Sequence, residues 1–289
     1  MSTTEEALKK ALEQKSDEIR VRGDALQRMV EEAVRNALGG VYKDQESGTA
    51  NTARPAERPS ERYSEKVVSV EEAVPKAGDR SFSWINGINF IAASLKLKIG
   101  DPKKGAILFS SSIRGEGTTT ICSNVAMAEA KMISGNVLLM DCNPKHPDIH
   151  KQFKIEPSPG LTDVLLKKIK WEDAVRKSNR KNLFILPFGQ AISDPFSLWG
   201  QGIMERVLGS MREVFEKIIM DGPPILSGPD AGMIAPHVDN VVLIIKANTT
   251  RREVVERAIG HLSLQKDILG VVYNQQVFKI PQFIYKRLK

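Results

Sequence analysis

At 289 residues, with 41% apolar and 27% charged side chains, the chain has the composition of a soluble globular protein and the length for one α/β core of about 200 residues plus an extra segment. No apolar run approaches the roughly 20 residues of a membrane span, and the start MSTTEEALKK lacks the apolar core of a signal peptide, so a cytoplasmic protein is expected. The net charge of +7 belongs to the C-terminal part, because the first 66 residues are nearly balanced.

Residues 3 to 38 have helical periodicity. Leu12, Ile19, Leu26 and Ala33 recur every seven residues, but Lys15 and Arg22 occupy the companion positions and Gly23 weakens the middle. A short coiled coil, a partner-binding helix and a solvated helix all fit, and Gly39-Gly40 ends the stretch. We read residues 1–43 as an amphipathic helix and 44–80 as a flexible linker. The stretch DQESGTANTARPAERPSERYSEK has almost nothing to bury, and Val67–Val74 is a short strand or helix leading into the core. The core spans residues 81–278, and 279–289 form a basic tail.

From Ser81 onward, apolar strands alternate with helical stretches, which predicts a doubly wound, mostly parallel α/β sheet. The predicted strands are Ala106–Phe109, Val137–Met140, Leu183–Leu186, Ile218–Met220, Val241–Ile245 and Leu269–Tyr273. The helices are expected to begin near Thr119, Leu161, Trp171, Gln201, Asp230 and Arg251. Ligands on such sheets bind at the carboxyl ends of the strands.

The first strand runs into SSSIRGEGTTT and then a helix with Ile121, Val125 and Ala128 on one face. This is a phosphate-binding loop of the G-x-x-x-x-G-K-[ST] kind with its lysine missing. Ser112 holds the first position, Gly117 the second glycine and Thr119 the metal-binding hydroxyl, while Thr118 stands where lysine belongs. Gly115 and Gly117 let backbone N–H groups converge on a phosphate, and the helix start adds a favourable partial charge. The candidate cofactor-binding set is therefore Ser112, Arg114, Gly115, Glu116, Gly117, Thr118, Thr119 and Thr120. An ordinary strand-to-helix turn would explain GEGTTT taken alone. Two later strands, NVLLMDCNPK and KIIMDGPP, end in Asp141 and Asp221. Such aspartates hold Mg²⁺ and its waters beside a phosphate loop, so Thr119, Asp141 and Asp221 are the candidate metal set and the two aspartates the candidate catalytic groups. A helix cap or turn role is the alternative for either aspartate alone. Cys122 and Cys142 suit a reducing compartment as buried small hydrophobes, with a redox pair as the lesser reading.

These segments resemble the cytoplasmic P-loop domain of bacterial tyrosine kinases of capsule and exopolysaccharide biosynthesis, from about Ser81 to Phe278. VLLMDCNPK resembles that family's D-x-D-x-R segment. IIMDGPPILSGPDA resembles its second metal strand and the loop after it, through Asp221, Pro223, Pro224, Asp230 and Ala231. GLTDVL, NLFILPFG, DPFSLW, LIIKANTTRREVVERA and ILGVVYNQ follow in the family's order. The resemblance implies a SIMIBI-type P-loop fold, ATP or ADP with Mg²⁺ as cofactor, and Asn274 in ILGVVYNQ among the cofactor-binding residues. Its implied partners are a membrane polysaccharide chain-length (co-polymerase) protein and further copies of the chain, with the protein peripheral to the inner membrane through a partner.

The departures point away from a working kinase. Thr118 replaces the lysine, Asn143 the second aspartate and Lys145 the arginine of D-x-D-x-R. The helix before the first strand, WINGINFIAASLKL, lacks the family's glutamate and arginines, and Tyr285 is alone where relatives carry a tyrosine cluster. A degenerate kinase-like regulator is favoured over an active tyrosine kinase or ATPase. A partition or positioning ATPase is a further alternative, which lacks its own signature lysine here. Arg114 and Lys145 are the two candidates for a substitute cation. The basic tail, with Phe278, Ile280, Phe283, Ile284 and Leu288, suits a solvated face, an anionic membrane surface or an acidic partner. No nucleic-acid-reading module is recognisable.

Overall fold

In the computed structural model, residues 81–99, 105–192, 196–200 and 202–275 are described. The expected N-terminal helix, the linker with Val67–Val74, and the basic tail lie outside them. Seven strands form one sheet: β1 (Gly105–Ser111), β2 (Val137–Asp141), β3 (Arg176–Lys177), β4 (Leu183–Leu186), β5 (Lys217–Asp221), β6 (Asn240–Lys246) and β7 (Ile268–Asn274). Their spatial order is β3-β4-β2-β5-β1-β6-β7. Every pairing is parallel except that of β3 with β4. This is the doubly wound sheet the sequence predicts, each strand longer than or equal to its predicted span. The antiparallel β3 is new: with two residues it is too short for any periodicity.

Alternation along each central strand feeds two separate cores. Ala106, Leu108, Leu138 and Met140 join one apolar cluster, while Ile107, Phe109, Val137 and Leu139 join the other. Both faces are therefore covered, as a parallel sheet requires. On the first face Phe215 meets Trp171 and Phe184 edge-to-face at 5.7 and 5.5 Å between ring centres.

On the second face lie helix α1 (Ser81–Ile99) and helix α2 (Thr118–Met132). Three apolar residues on one side of α2 are expected from the sequence, yet Ile121 through Ala130 are all buried. The reason is α1, whose Ile88, Ala92 and Leu95 join the same cluster and cover the side of α2 turned away from the sheet. Cys122 and Cys142 are both buried and free, as small hydrophobes are. The helix expected near Gln201 runs Ile203–Arg212, and Gln201 itself lies outside the described residues. Within DPFSLW, Phe196–Trp199 form one helical turn, and buried Trp199 donates through Nε1 to Asp230 Oδ1 at 3.1 Å.

Candidate functional site

Adjacent strands bring three carboxyl ends together. Asp221 is in register with Asp141 across β2–β5 and with Phe109 across β1–β5. The ladder continues one residue further: Cys142 N donates to Asp221 O and Gly222 N to Phe109 O, each at 2.8 Å. The phosphate loop leaves β1 at that edge, so Ser112, Thr119 and both aspartates share one end of the sheet.

The loop turns through two left-handed glycines, Gly115 (φ 88) and Gly117 (φ 93). Ile121 N makes the first helical bond back to Gly117 O at 3.0 Å. The first N–H groups of α2 thus have no intrahelical acceptor and, with the axial dipole, form a donor set for an anion. Thr118, Thr119 and Thr120 are half-buried around this opening.

Glu116 behaves differently from its sequence assignment. Its side chain is 1% exposed. One carboxylate oxygen accepts from Ile113 N at 2.9 Å; the other accepts from Lys246 N at 3.2 Å and from the Thr250 hydroxyl. The carboxylate is spent on tying the loop to the end of β6, so only its backbone remains available to a phosphate. Asn274 likewise holds the loop: its amide donates to Glu116 O at 2.8 Å. Gly117 lies directly beneath it, and a Cβ there would come within 2.3 Å of Asn274 Nδ2. Gly117→Ala is therefore expected to displace Asn274, break its bond to Glu116 and cost about 2 kcal/mol, with Gly87→Ala on open helix surface as the stabilising control. Thermal melts check this; equal shifts in the two variants would contradict it.

The two aspartates are buried but unequally served. Asp141 accepts three backbone N–H groups, from Asn143 on Oδ1 and from Asp148 and Ile149 on Oδ2, each at 3.1 Å. Neither oxygen of Asp221 has a partner in hydrogen-bond geometry, and buried Ser112 Oγ also has none, among the described residues. Burial pushes Asp141 up to about 7 against those three donors. It pushes Asp221 well above the carboxylate range, aided by the Asp141 charge and only partly offset by the Thr119 hydroxyl. Burial, then the same two aspartates, also keep Cys122 and Cys142 as thiols, although for Cys142 the nearer Asp141 counts before Asp221. Two buried carboxylates, of which Asp221 has both oxygens unpartnered, form a hard-oxygen donor set beside a threonine hydroxyl. That set suits Mg²⁺, which binds through one or two carboxylates with waters and phosphate. No cluster of three His, Cys, Asp or Glu side chains able to hold a metal by itself occurs among the described residues.

The cations sit at the rim. Arg114 is exposed. Lys145 Nζ donates to Ser227 O at 2.6 Å. Ser227 belongs to the 3₁₀ turn Ile225–Ser227, and Leu226 N of that turn donates to Ser112 O at 3.1 Å. Lys145 is thereby anchored to the turn that touches the start of the phosphate loop. Asn143, in the position of the second aspartate, accepts from His146 N at 3.2 Å and shapes the turn that carries Lys145. Sequence reasoning missed the Thr250 and Lys246 contacts with the loop, because no local pattern marks residues 130 or more positions away.

Residues 106–274 match the family described as cellulose biosynthesis protein BcsQ. Tyrosine-protein kinase YwqD of Bacillus subtilis is 31% identical over 185 residues, covering 64% of this chain and 78% of the relative. Tyrosine-protein kinase CpsD of Streptococcus agalactiae is 28% identical over 176 residues, covering 60% and 76%. The crystal structure of the VpsO kinase domain is similar at a TM-score of 0.62 and 33% identity, covering 69% of this chain and 98% of that domain. The chain belongs to the BcsQ-like P-loop family, and its relatives there include bacterial tyrosine-protein kinases.

Proposed function

We propose that this chain is a nucleotide-binding regulator of exopolysaccharide or capsule biosynthesis, a tyrosine-kinase-like protein with little or no kinase turnover. The observation that carries this reading is the contrast within one loop. The glycine turn, the free N–H groups and the Thr119–Asp141–Asp221 oxygens are kept, while Thr118 replaces the lysine. Mg²⁺ held by those oxygens would neutralise phosphate charge when bound. The backbone donors of residues 115–120 would orient the phosphates, and the buried aspartates would hold the metal and its waters beside them. A lysine at 118 would add a charge-assisted contact that strengthens in the transition state, worth about 3–4 kcal/mol or a hundred- to a thousandfold in rate. Binding survives that loss better than catalysis does, since it rests on many donors.

Titration calorimetry of the full chain tests the reading. Mg-ADP and Mg-ATP are expected to bind weakly and only with magnesium, and Thr118→Lys should tighten ATP or raise its turnover. Submicromolar binding indifferent to EDTA would overturn it. Robust tyrosine autophosphorylation by the unaltered chain, abolished by Asp141→Ala, would establish the second reading, an active ATP-dependent tyrosine kinase, which the names of YwqD, CpsD and the VpsO kinase domain favour.

The same proposal places the protein on the cytoplasmic side of the inner membrane, beside a membrane co-polymerase that governs polysaccharide chain length. None of the described helices is long and apolar enough to cross a membrane. Residues 3–38 and the basic tail from Phe278 would be the contacts, with the 44–80 linker raising the effective concentration of the core near its site. Deleting residues 1–66 should leave nucleotide affinity unchanged yet abolish polysaccharide output. Full complementation by the truncated protein would remove the role given to that segment.

A further inference from the structure

Two cations stand at the rim of the phosphate loop, and their surroundings differ. Arg114 is exposed, and no hydrogen bond or ion pair holds its side chain among the described residues. Ordering it around a ligand would cost the rotamer freedom of a long side chain. Lys145 is exposed too, but its head is already fixed. Its Nζ donates at 2.6 Å to the carbonyl of Ser227, 82 positions along the chain.

That acceptor is neutral. It takes one of the three ammonium donors and none of the charge. The carboxylates of this segment and of the 225–230 turn each have another partner. Asp141 accepts its three backbone N–H groups, and Asp148 pairs with Lys151 at 2.7 Å. Asp230 lies near the same glycine as the lysine head: a Cβ at Gly228 would come within 2.8 Å of Lys145 Nζ and 3.3 Å of Asp230 Oδ2. Asp230 accepts from Trp199 Nε1, however, and no ion pair joins it to Lys145 among the described residues.

The Lys145 bond has a second end. Ser227 closes the 3₁₀ turn Ile225–Ser227, and Leu226 N of that turn donates to Ser112 O at 3.1 Å. Ser112 is fully buried, and its Oγ has no partner among the described residues. A buried hydroxyl without an acceptor costs stability unless a ligand supplies one. Lys145, the turn and Ser112 therefore make one chain of contacts. It runs from the segment after β2, past the end of β5, to the first residue of the phosphate loop.

We propose, given the nucleotide-binding reading above, that Lys145 replaces the missing loop lysine: it leaves Ser227 O to hold the terminal phosphate of a nucleoside triphosphate. A phosphate oxygen carries charge and outcompetes a neutral carbonyl for an ammonium head. The flexible four-carbon stem lets Nζ swing while the backbone stays with β2. Departure of the head unties Ser227, so the turn loosens against Ser112 and its hydroxyl becomes a further donor to the same phosphate. A nucleoside diphosphate lacks that group, and Lys145 stays on Ser227. The lysine thus distinguishes triphosphate from diphosphate.

Calorimetry of the full chain with Mg-ADP and with Mg-AMP-PNP, a triphosphate analogue that resists hydrolysis, tests the assignment. Lys145→Met should weaken the triphosphate about tenfold more than the diphosphate. Lys145→Arg should restore most of that difference, because it restores the charge. In NMR spectra the side-chain ammonium signal of Lys145 should move with AMP-PNP and stay in place with ADP. Equal losses for both nucleotides in Lys145→Met would overturn the assignment and leave nucleotide binding standing. A loss selective for the triphosphate in Arg114→Ala, with none in Lys145→Met, would do the same. A parent chain that binds neither nucleotide would overturn the assignment and the nucleotide-binding reading together.

Discussion

Glu116→Ala is expected to lower the unfolding free energy by about 3 kcal/mol, the scale of several hydrogen bonds to a buried charged acceptor. The lost acceptors strand Ile113 N, Lys246 N and the Thr250 hydroxyl. The loop should loosen with them, so hydrogen exchange at Ile113 and Lys246 should accelerate before the rest of the sheet opens. Nucleotide affinity should fall together with stability, although both carboxylate oxygens are already engaged by Ile113, Lys246 and Thr250. Glu116→Gln keeps one acceptor and places donors against donors, which predicts an intermediate loss. Urea unfolding curves that superimpose for the alanine variant and the parent would refute the latch.

The second large effect concerns the aspartate pair and carries a definite sign. Burial raises Asp141 to about 7 and also raises Asp221 well above the carboxylate range, so the folded state holds protons that the unfolded chain gives up near pH 4. A raised folded pKa stabilises fully below the unfolded value and loses that contribution as pH climbs through the folded one. Without magnesium the protein should therefore weaken between about pH 4 and about pH 7, by on the order of 4 kcal/mol for Asp141 alone. The titration belongs to the pair, so the measured midpoint is shared. Asp221→Asn removes one charge and relieves its neighbour. It should raise stability in EDTA at about pH 8, flatten the pH slope and abolish any stabilisation by magnesium. Equal slopes for parent and variant in EDTA would show that the pair does not govern the pH response.

Much of this architecture is legible in the sequence because parallel strands buried on both faces appear as short apolar runs. Leu183–Leu186 matches its predicted bounds, and the helices at Leu161, Trp171 and Asp230 begin where predicted. The helix α1 is expected only through the family resemblance, and its role in covering α2 is a tertiary fact. The two-residue β3 carries no period at all. At the site, spacing brings Ser112, Thr119, Asp141 and Asp221 to one end of the sheet, since motifs at strand ends travel with the strands. The direction of Glu116 is not legible, because its partners come from Lys246 and Thr250. Equally, nothing near Lys145 in the chain announces Ser227 as its acceptor.

The contacts of Glu116 span 130 and 134 positions, and the Asn274 amide reaches back 158. A segment of eight residues that looks self-contained is thus completed by the last strand of the sheet. During synthesis, residues 112–119 emerge long before β6 and β7, and until those strands dock, the loop lacks the acceptor pairing and the amide that hold its turn. Closing such distant contacts is the slow part of assembling a parallel sheet. The final shape of the loop is accordingly among the last features the nascent domain acquires, and under the proposed nucleotide-binding function partly made chains would not sequester nucleotide.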